Sequence, residues 1–206
     1  MKLKIVYNNE ARKGFKSGWG FSCLVEKNDK KILFDTGDSS DALLYNMKKL
    51  DIDPKQIDIV VISHNHWDHT GGLDGFLKKN ENKAKIIKPD EFSEPAKIAK
   101  DIYSTGSLQS FLGPEEQSLF IKTRKGLTII VGCSHPGVDK ILGVAKKYGK
   151  IYAIIGGFHG FNKLDALKDI HIIGACHCTK YKQEIKERFP QQFRDIKAGD
   201  VLDFED

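Results

Sequence analysis

The stretch VISHNHWDHTGG, residues 61–72, places three histidines and an aspartate within six positions, although the whole chain holds only seven histidines. An apolar, β-rich run (IDIVVIS, 57–63) leads into it, and a helical pattern (TGGLDGFLKK, 70–79) follows it. The stretch is therefore predicted to form a loop at the carboxyl end of a strand, where functional residues are often found.

The four polar side chains of this loop are of the types that bind borderline metal ions. Residues two apart in an extended segment face the same side, so His64 and His66 can converge on one cation. The chain then turns into a helix, which lets Asp68 and His69 face a second position nearby. A buried group of histidines without a metal would have to satisfy many ring nitrogens at once. The loop therefore favours a metal site over a structural cluster.

Three further histidines follow apolar strands elsewhere in the chain. His135 comes after LTIIVGCS, His159 after IYAIIGGF and His177 after HIIGAC. Strand ends at one edge of a layered sheet can converge, and loops there commonly carry function. His171 opens the strand that His177 closes, about 20 Å away at ~3.3 Å per residue, and is expected to be an ordinary surface histidine.

Apolar runs alternate with turn signals and helical patterns over the 206 residues, which favours one domain spanning 1–206. Strand–helix alternation predicts sheets covered by helices. Residues 90–115 are the least regular part and are expected to form an insertion or lid. Predicted strands lie near 3–7, 21–27, 31–36, 57–63, 84–88, 117–122, 127–132, 151–156 and 171–176, and predicted helices near 40–49, 71–79, 94–102, 137–148, 162–168 and 179–188.

The composition is ordinary for a soluble globular protein, with 40% hydrophobic and 30% charged residues. The longest apolar runs are too short to span a bilayer, and the N-terminus lacks the apolar segment of a secretory signal. We therefore expect a cytoplasmic protein with reduced cysteines and no membrane partner. The net charge of +5 is spread along the chain without a basic, aromatic-rich stripe, so no nucleic-acid partner is expected.

The segment NNEARKGFKSGWGF (8–21) carries the sequence clue to a substrate, because it is rich in glycine and basic residues and connects two predicted strands. It either covers the site or forms a mobile solvated loop. In the first case Arg12, Lys13 or Lys16 would attract an anion and Trp19 would supply an apolar wall. The expected partner is a small molecule, which would be anionic if this segment covers the site. The oligomeric state stays open.

Several segments resemble those of a known family. HNHWDH (64–69) matches the His-x-His-x-Asp-His signature of the metallo-β-lactamase superfamily, and ILFDTG (32–37), GCSHPG (132–137) and CHCT (176–179) resemble its other conserved segments. Order and rough spacing hold from about residue 20 to about residue 180. A closer resemblance is to the branch of dihydropterin-ribofuranosylaminobenzene-phosphate-synthase-like metal-dependent hydrolases, through the motifs GFS, GCSH and GGFH.

The resemblance implies an α+β or α/β fold, namely a four-layer αβ/βα sandwich with a two-metal site at one edge of its paired sheets. It implies two divalent ions, zinc in the first instance, with iron and manganese as alternatives. Asp35 would support the metal loop. The implied ligands are His64, His66 and His135 for the first ion, and Asp68, His69 and His177 for the second.

One departure from the superfamily concerns the strand that usually ends in a bridging aspartate. Here that strand reads IYAIIGGFHG (151–160) and contains no acidic residue. The second ion is therefore expected to bind weakly or without a protein bridge. His159 lies close to the vacant position and could ligate a metal, donate a proton or contact the substrate.

The resemblance implies a metal-dependent hydrolase that uses a metal-activated hydroxide on an ester-like or phosphoester substrate. Asp68 would position the nucleophile, and His159 would protonate the leaving group. The alternatives are an iron-dependent oxidoreductase or dioxygenase on the same fold, and a non-catalytic, metal-stabilised binding domain. Cys133 could approach the metals, but a cysteine there is more often a small buried hydrophobe, and it is left off the ligand set.

Overall fold

The computed structural model describes residues 1–111 and 113–204. Its contacts divide the chain into two compact units, a first unit of residues 1–88 with 196–204 and a second unit of residues 89–195. The single domain over 1–206 stays a prediction, and Leu112, Glu205 and Asp206 of that range lie outside the described residues.

Strands and helices follow one another in the described residues much as the periodicity predicts. The strands are β1 (Lys2–Tyr7), β2 (Ser22–Lys27), β3 (Lys30–Phe34), β4 (Ile59–Val61), β5 (Lys85–Ile87), β6 (Ala96–Ala99), β7 (Ile102–Ser104), β8 (Leu119–Thr123), β9 (Gly126–Val131), β10 (Ile151–Gly157), β11 (Ile172–Cys176) and β12 (Val201–Asp203). The helices are α1 (Ser40–Lys49), α2 (Trp67–Thr70), α3 (Leu73–Asn80), α4 (Val138–Lys146) and α5 (Lys182–Arg188), with 3-10 turns at Pro54–Gln56 and Leu164–Leu167.

The first unit contains a six-stranded sheet in the order β12-β1-β2-β3-β4-β5. β3, β4 and β5 are parallel, whereas the pairs on the other side of β3 are antiparallel. Helix α1 begins after Ser39, whose hydroxyl accepts a hydrogen bond from the Ala42 N–H. Its buried face packs into the core through Leu43 and Met47, together with Phe76 of α3.

The second unit contains a six-stranded sheet in the order β11-β10-β9-β8-β7-β6. β9, β10 and β11 are parallel, so their carboxyl ends lie at one edge of this sheet. Helix α4 covers the sheet with residues at helical spacing, as predicted. The buried residues of α4 are Val138, Ile141, Leu142 and Ala145, and all belong to the core of this unit.

The helix predicted over 94–102 is wrong, because that segment forms the hairpin of β6 and β7. Asp101 turns the chain with a left-handed backbone (φ 63°). β7 then pairs with β8, and Tyr103 stacks on Phe120 at 5.3 Å between ring centroids. Ladder pairing and aromatic packing thus outweigh the local helical periodicity. Much of the segment 90–115 is therefore an edge of the second sheet.

None of the helices within residues 1–111 and 113–204 has the length and apolar character that a membrane crossing requires.

Gly156 allows β10 to pack closely on β9. Its φ is +132°, and a Cβ at this position would lie 1.9 Å from the Val131 carbonyl oxygen. Gly156→Ala is therefore expected to lower the free energy of unfolding by at least about 1–3 kcal/mol, the cost of a strained backbone alone. Urea denaturation would measure this change.

The matched control is Gly143→Ala. Gly143 lies in α4, where an added Cβ would meet nothing within 4 Å. This variant is expected to gain up to about 1 kcal/mol from helix propensity. Equal stabilities of the two variants would contradict the role given to Gly156.

Candidate functional site

The first unit brings four predicted ligands together at the carboxyl end of β4. His64 follows β4, His66 is the N-cap of α2, and Asp68 and His69 lie within α2. The His64 ring centroid is 4.8 Å from that of His66 and 4.2 Å from that of His69. Donor atoms of His64, His66 and Asp68 lie within 4.8 Å of one another. The sequence-predicted group in this unit, hereafter the first donor group, is thus compact.

Asp35 connects two of these histidines through one buried carboxylate. Its Oδ2 accepts hydrogen bonds from the Nδ1–H of His69 at 2.6 Å and from the hydroxyl of Ser63 at 2.7 Å. The Ser63 N–H donates to Oδ1 at 2.7 Å. Since the Ser63 hydroxyl proton is given to Asp35, the Ser63 oxygen accepts from Nδ1–H of His64 at 2.9 Å. With Nδ1 occupied in this way, Nε2 is the nitrogen that each of these rings can offer to a metal.

The environment of Asp35 is unusual for a carboxylate. The side chain is fully buried, and its backbone is left-handed (φ 56°), directly after β3. Burial raises the pKa of Asp35, while the charge and hydrogen bond of His69 and the hydrogen bonds of Ser63 act in the opposite direction. Burial is the larger influence, so the pKa of Asp35 stays above its ordinary value.

The second unit gathers its functional side chains at the carboxyl ends of its three parallel strands. His135 follows β9, His159 follows β10 and His177 follows β11. The rings of His135 and His159 lie 4.9 Å apart between centroids. The sulfur of Cys133 lies within 4.8 Å of a donor nitrogen of His135 and of a donor nitrogen of His177. These four residues are hereafter the second donor group.

The loops of the second donor group have strained backbones. Ser134, His159 and His177 are all left-handed, with φ of 62°, 44° and 50°. Such conformations cost about 1–3 kcal/mol each and cluster at functional sites. The Ser134 hydroxyl donates to the Gly157 carbonyl at 2.8 Å, which ties the loop after β9 to the end of β10.

Glu116 is a buried carboxylate that sequence reasoning missed. It accepts hydrogen bonds from the N–H groups of Cys133, Ser134 and His135 at 2.8–2.9 Å. It also accepts a hydrogen bond from the Nδ1–H of His135 at 2.8 Å, so Nε2 is the nitrogen that this ring too can offer to a metal. Glu116 is 19 residues from His135 and precedes an apolar strand, so no local pattern in the sequence links the two.

Glu116→Gln is expected to weaken metal binding on the order of 10–100-fold, the usual loss for an outer-shell partner. The glutamine can offer only one acceptor oxygen to four donors. Isothermal titration with zinc would measure the change. Glu115→Gln is the control, because the Glu115 carboxylate accepts hydrogen bonds from Ser107 and Gln109 at the surface. An unchanged affinity in Glu116→Gln would contradict the orienting role.

The segment 8–21 is fixed to the metal loop of the first unit by close backbone contacts. Gly20 has φ +154°, and a Cβ there would lie 2.3 Å from the Asp68 carbonyl oxygen. Its N–H donates to the side chain of Asn9. Arg12 pairs with Asp200, so much of its charge is already neutralised within the chain. Trp19, in contrast, exposes about half of its surface.

His171 is separate from the other histidines of the second unit, as expected. It precedes β11, is exposed, and stacks on Tyr152 at 5.3 Å between ring centroids. His177 lies at the opposite end of the same strand.

Comparison with known proteins agrees with the motif resemblance. The profile of the metallo-β-lactamase superfamily matches residues 20–146. The chain is 30% identical to 7,8-dihydropterin-6-methyl-4-(β-D-ribofuranosyl)-aminobenzene-5′-phosphate synthase of Methanocaldococcus jannaschii, over 91% of this chain and 90% of that protein.

Solved structures confirm the predicted fold class. The metal-dependent hydrolase of the β-lactamase superfamily Tm1679 has a TM-score of 0.81 and 25% identity, with all of both chains covered. The metallo-β-lactamase fold protein YhfI from Bacillus subtilis has a TM-score of 0.70 and 14% identity over 98% of each chain. The motifs, the profile match and these likenesses lead to one conclusion: the chain belongs to the metallo-β-lactamase superfamily.

Proposed function

We propose that this protein is a metal-dependent hydrolase that acts on an ester-like or phosphoester bond of a small molecule. In this proposal His64, His66 and His135 bind one divalent ion, and Asp68, His69 and His177 bind a second, with zinc as the first candidate. The observation that carries the proposal is the shared orientation of His64, His69 and His135. The Nδ1–H of each ring donates a hydrogen bond, to Ser63, Asp35 and Glu116 respectively.

The donor chemistry of each unit fits a divalent metal. Imidazole nitrogen and carboxylate oxygen are ordinary zinc ligands, and the first donor group offers both within 4.8 Å. A carboxylate behind a metal-binding histidine fixes its tautomer and raises its basicity. Without a metal, each buried ring would need a further hydrogen-bond partner on its second nitrogen as well. Both units therefore carry the supporting contacts that metal ligands need.

When bound, a divalent ion would polarise a substrate oxygen and lower the pKa of a coordinated water. The residues of the chain then have separate tasks. Asp68, 7% exposed, would orient the attacking water and accept its proton. His159 is exposed, and its ring neighbours that of His135, which supports the proposed role of His159 as proton donor to the leaving group.

Exposed aromatic surface near the first donor group supports an apolar portion in the substrate. Trp67 stands between His66 and Asp68 in the chain and is 61% exposed, and Trp19 is exposed on the segment that contacts Asp68. Exposed tryptophans of this kind offer flat faces for stacking. The partner we propose is therefore a small molecule that joins an apolar group to an anionic or ester group.

A second candidate is the synthase reaction named for the relative from Methanocaldococcus jannaschii. The specific observation in its favour is the 30% identity over nine-tenths of both chains. This reaction differs in the substrates that the protein must bind, because a synthase joins two substrates whereas a hydrolase consumes one substrate and water.

The decisive experiment is turnover by the purified full chain, after removal of metal and reconstitution with zinc, iron(II) or manganese. Substrates would be chromogenic phosphodiesters, lactones and thioesters, each with an aromatic group. Metal-dependent release of product from any one class supports hydrolysis. Incorporation of two substrates into one product, with no hydrolysis in any class, would favour the synthase instead. Turnover only with iron and oxygen would overturn the proposal in favour of redox chemistry.

A further inference from the structure

Cys133 occupies a central position in the second donor group. Its sulfur lies within 4.8 Å of a ligand nitrogen of His135 and also of a ligand nitrogen of His177. In the proposed function these two histidines serve different metal ions. Cys133 is thus near one ligand of each ion, although the sequence favours a simple buried hydrophobe at this position.

We propose that Cys133 is itself a metal ligand, whose thiolate is shared between the ions held by His135 and His177. This inference rests on the proposed function, because it concerns the same metal ions. Zinc binds sulfur at about 2.3 Å and nitrogen at about 2.1 Å, so donor atoms that lie within 4.8 Å of one another are close enough to share an ion after small side-chain adjustments. The strand β10, which precedes His159, ends without a carboxylate. As a thiolate, Cys133 would supply an anionic donor near this position, where Glu116 is already engaged with backbone N–H groups and the His135 ring.

The backbone holds Cys133 in place for this task. Its N–H donates to the buried Glu116 at 2.9 Å, and the next residue, Ser134, is left-handed and bonded to the end of β10. The cysteine is 3% exposed, so bulk water competes little for the sulfur. Glu116 therefore positions two donors at once, the sulfur of Cys133 and the ring of His135.

The second cysteine near His177 makes a useful comparison. Cys178 follows His177 directly, and its S–H is directed at the Cys133 carbonyl at 3.9 Å. This sulfur thus faces a backbone oxygen. If a thiolate binds the metal, the structure assigns it to Cys133.

A thiolate ligand also restricts the metal. Sulfur favours zinc and iron, whereas magnesium and manganese favour oxygen donors. Coordination releases the thiol proton to solvent, so metal uptake would release more protons than histidine ligands alone would. The inference therefore predicts a strong preference for zinc or iron over manganese in competition.

The test is the absorption spectrum of the full chain loaded with cobalt(II). The wild-type protein should show a thiolate-to-cobalt charge-transfer band in the near ultraviolet. The band should persist in Cys178→Ser and in Cys23→Ala, whose cysteine lies in β2. It should vanish in Cys133→Ser, with affinity for one equivalent of metal weakened by at least ~10–100-fold. Cys133→Asp should regain affinity without the band.

Each outcome separates this inference from the function on which it rests. Cobalt bound at stoichiometry without a thiolate band would overturn the role of Cys133 and leave the proposed hydrolase intact. Loss of the band in Cys178→Ser in place of Cys133→Ser would also overturn it. Absence of any bound cobalt would overturn both proposals. Circular dichroism identifies a variant that fails to fold, and the wild-type spectrum together with Cys133→Asp then decides.

Discussion

Replacement of His66 or His135 by alanine is expected to abolish both turnover and stoichiometric metal binding. Each variant removes one imidazole from the proposed ligands of the first ion. His66 is exposed at the start of α2, so its loss should leave the fold unchanged. Activity on the responsive substrate and elemental analysis of the purified variants would measure the effect.

The matched control is His171→Ala, which removes an exposed imidazole from the other end of β11. This variant should keep full metal content and full activity. Full turnover in His66→Ala or His135→Ala would contradict the ligand set. Loss of activity with full metal content would instead assign these residues to substrate binding.

Asp35 is expected to be the most sensitive residue outside the ligands themselves. Asp35→Ala leaves the His69 and Ser63 donors without an acceptor, at about 1–3 kcal/mol for each buried group left unsatisfied. It also forces alanine into a left-handed backbone. Both metal affinity and the free energy of unfolding should fall, as zinc titration and urea denaturation would show.

Asp35→Asn separates the two effects. Asparagine tolerates the left-handed conformation and keeps one acceptor oxygen, but it carries no charge to stabilise the two histidines that are proposed to bind metal. Metal affinity should therefore fall on the order of 10–100-fold, with a smaller loss of stability than in Asp35→Ala. Asp51→Asn is the control, because Asp51 is exposed and has a similar φ of 53°. An equal effect of the two asparagine variants would refute the role of Asp35.

The periodicity of apolar residues, and the position of histidines directly after apolar runs, predict much of this fold. Helix α1 spans the predicted 40–49, and the histidines that were read as strand-end residues follow β4, β9, β10 and β11. Local sequence encodes these features, because each depends on the alternation of apolar residues within one segment.

Features that depend on distant partners escaped prediction. The β6–β7 hairpin exists because β8 offers a strand to pair with, and β12 exists because β1 does. Glu116 becomes part of the site only when the loop after β9 folds over its carboxylate. Such pairings join residues far apart in sequence, and no local pattern encodes them.

Strand β12 has a consequence for how the polypeptide is made. It is separated in sequence from the rest of the first unit by the whole second unit, yet it pairs with β1 at the margin of the first sheet, and the N–H of Phe204 donates to the Met1 carbonyl. While a ribosome extends the chain, residues 1–88 emerge long before β12. During that interval β1 presents unsatisfied peptide groups that can recruit a neighbouring nascent chain. Fast translation through the second half would shorten this exposure and favour a high yield of native protein.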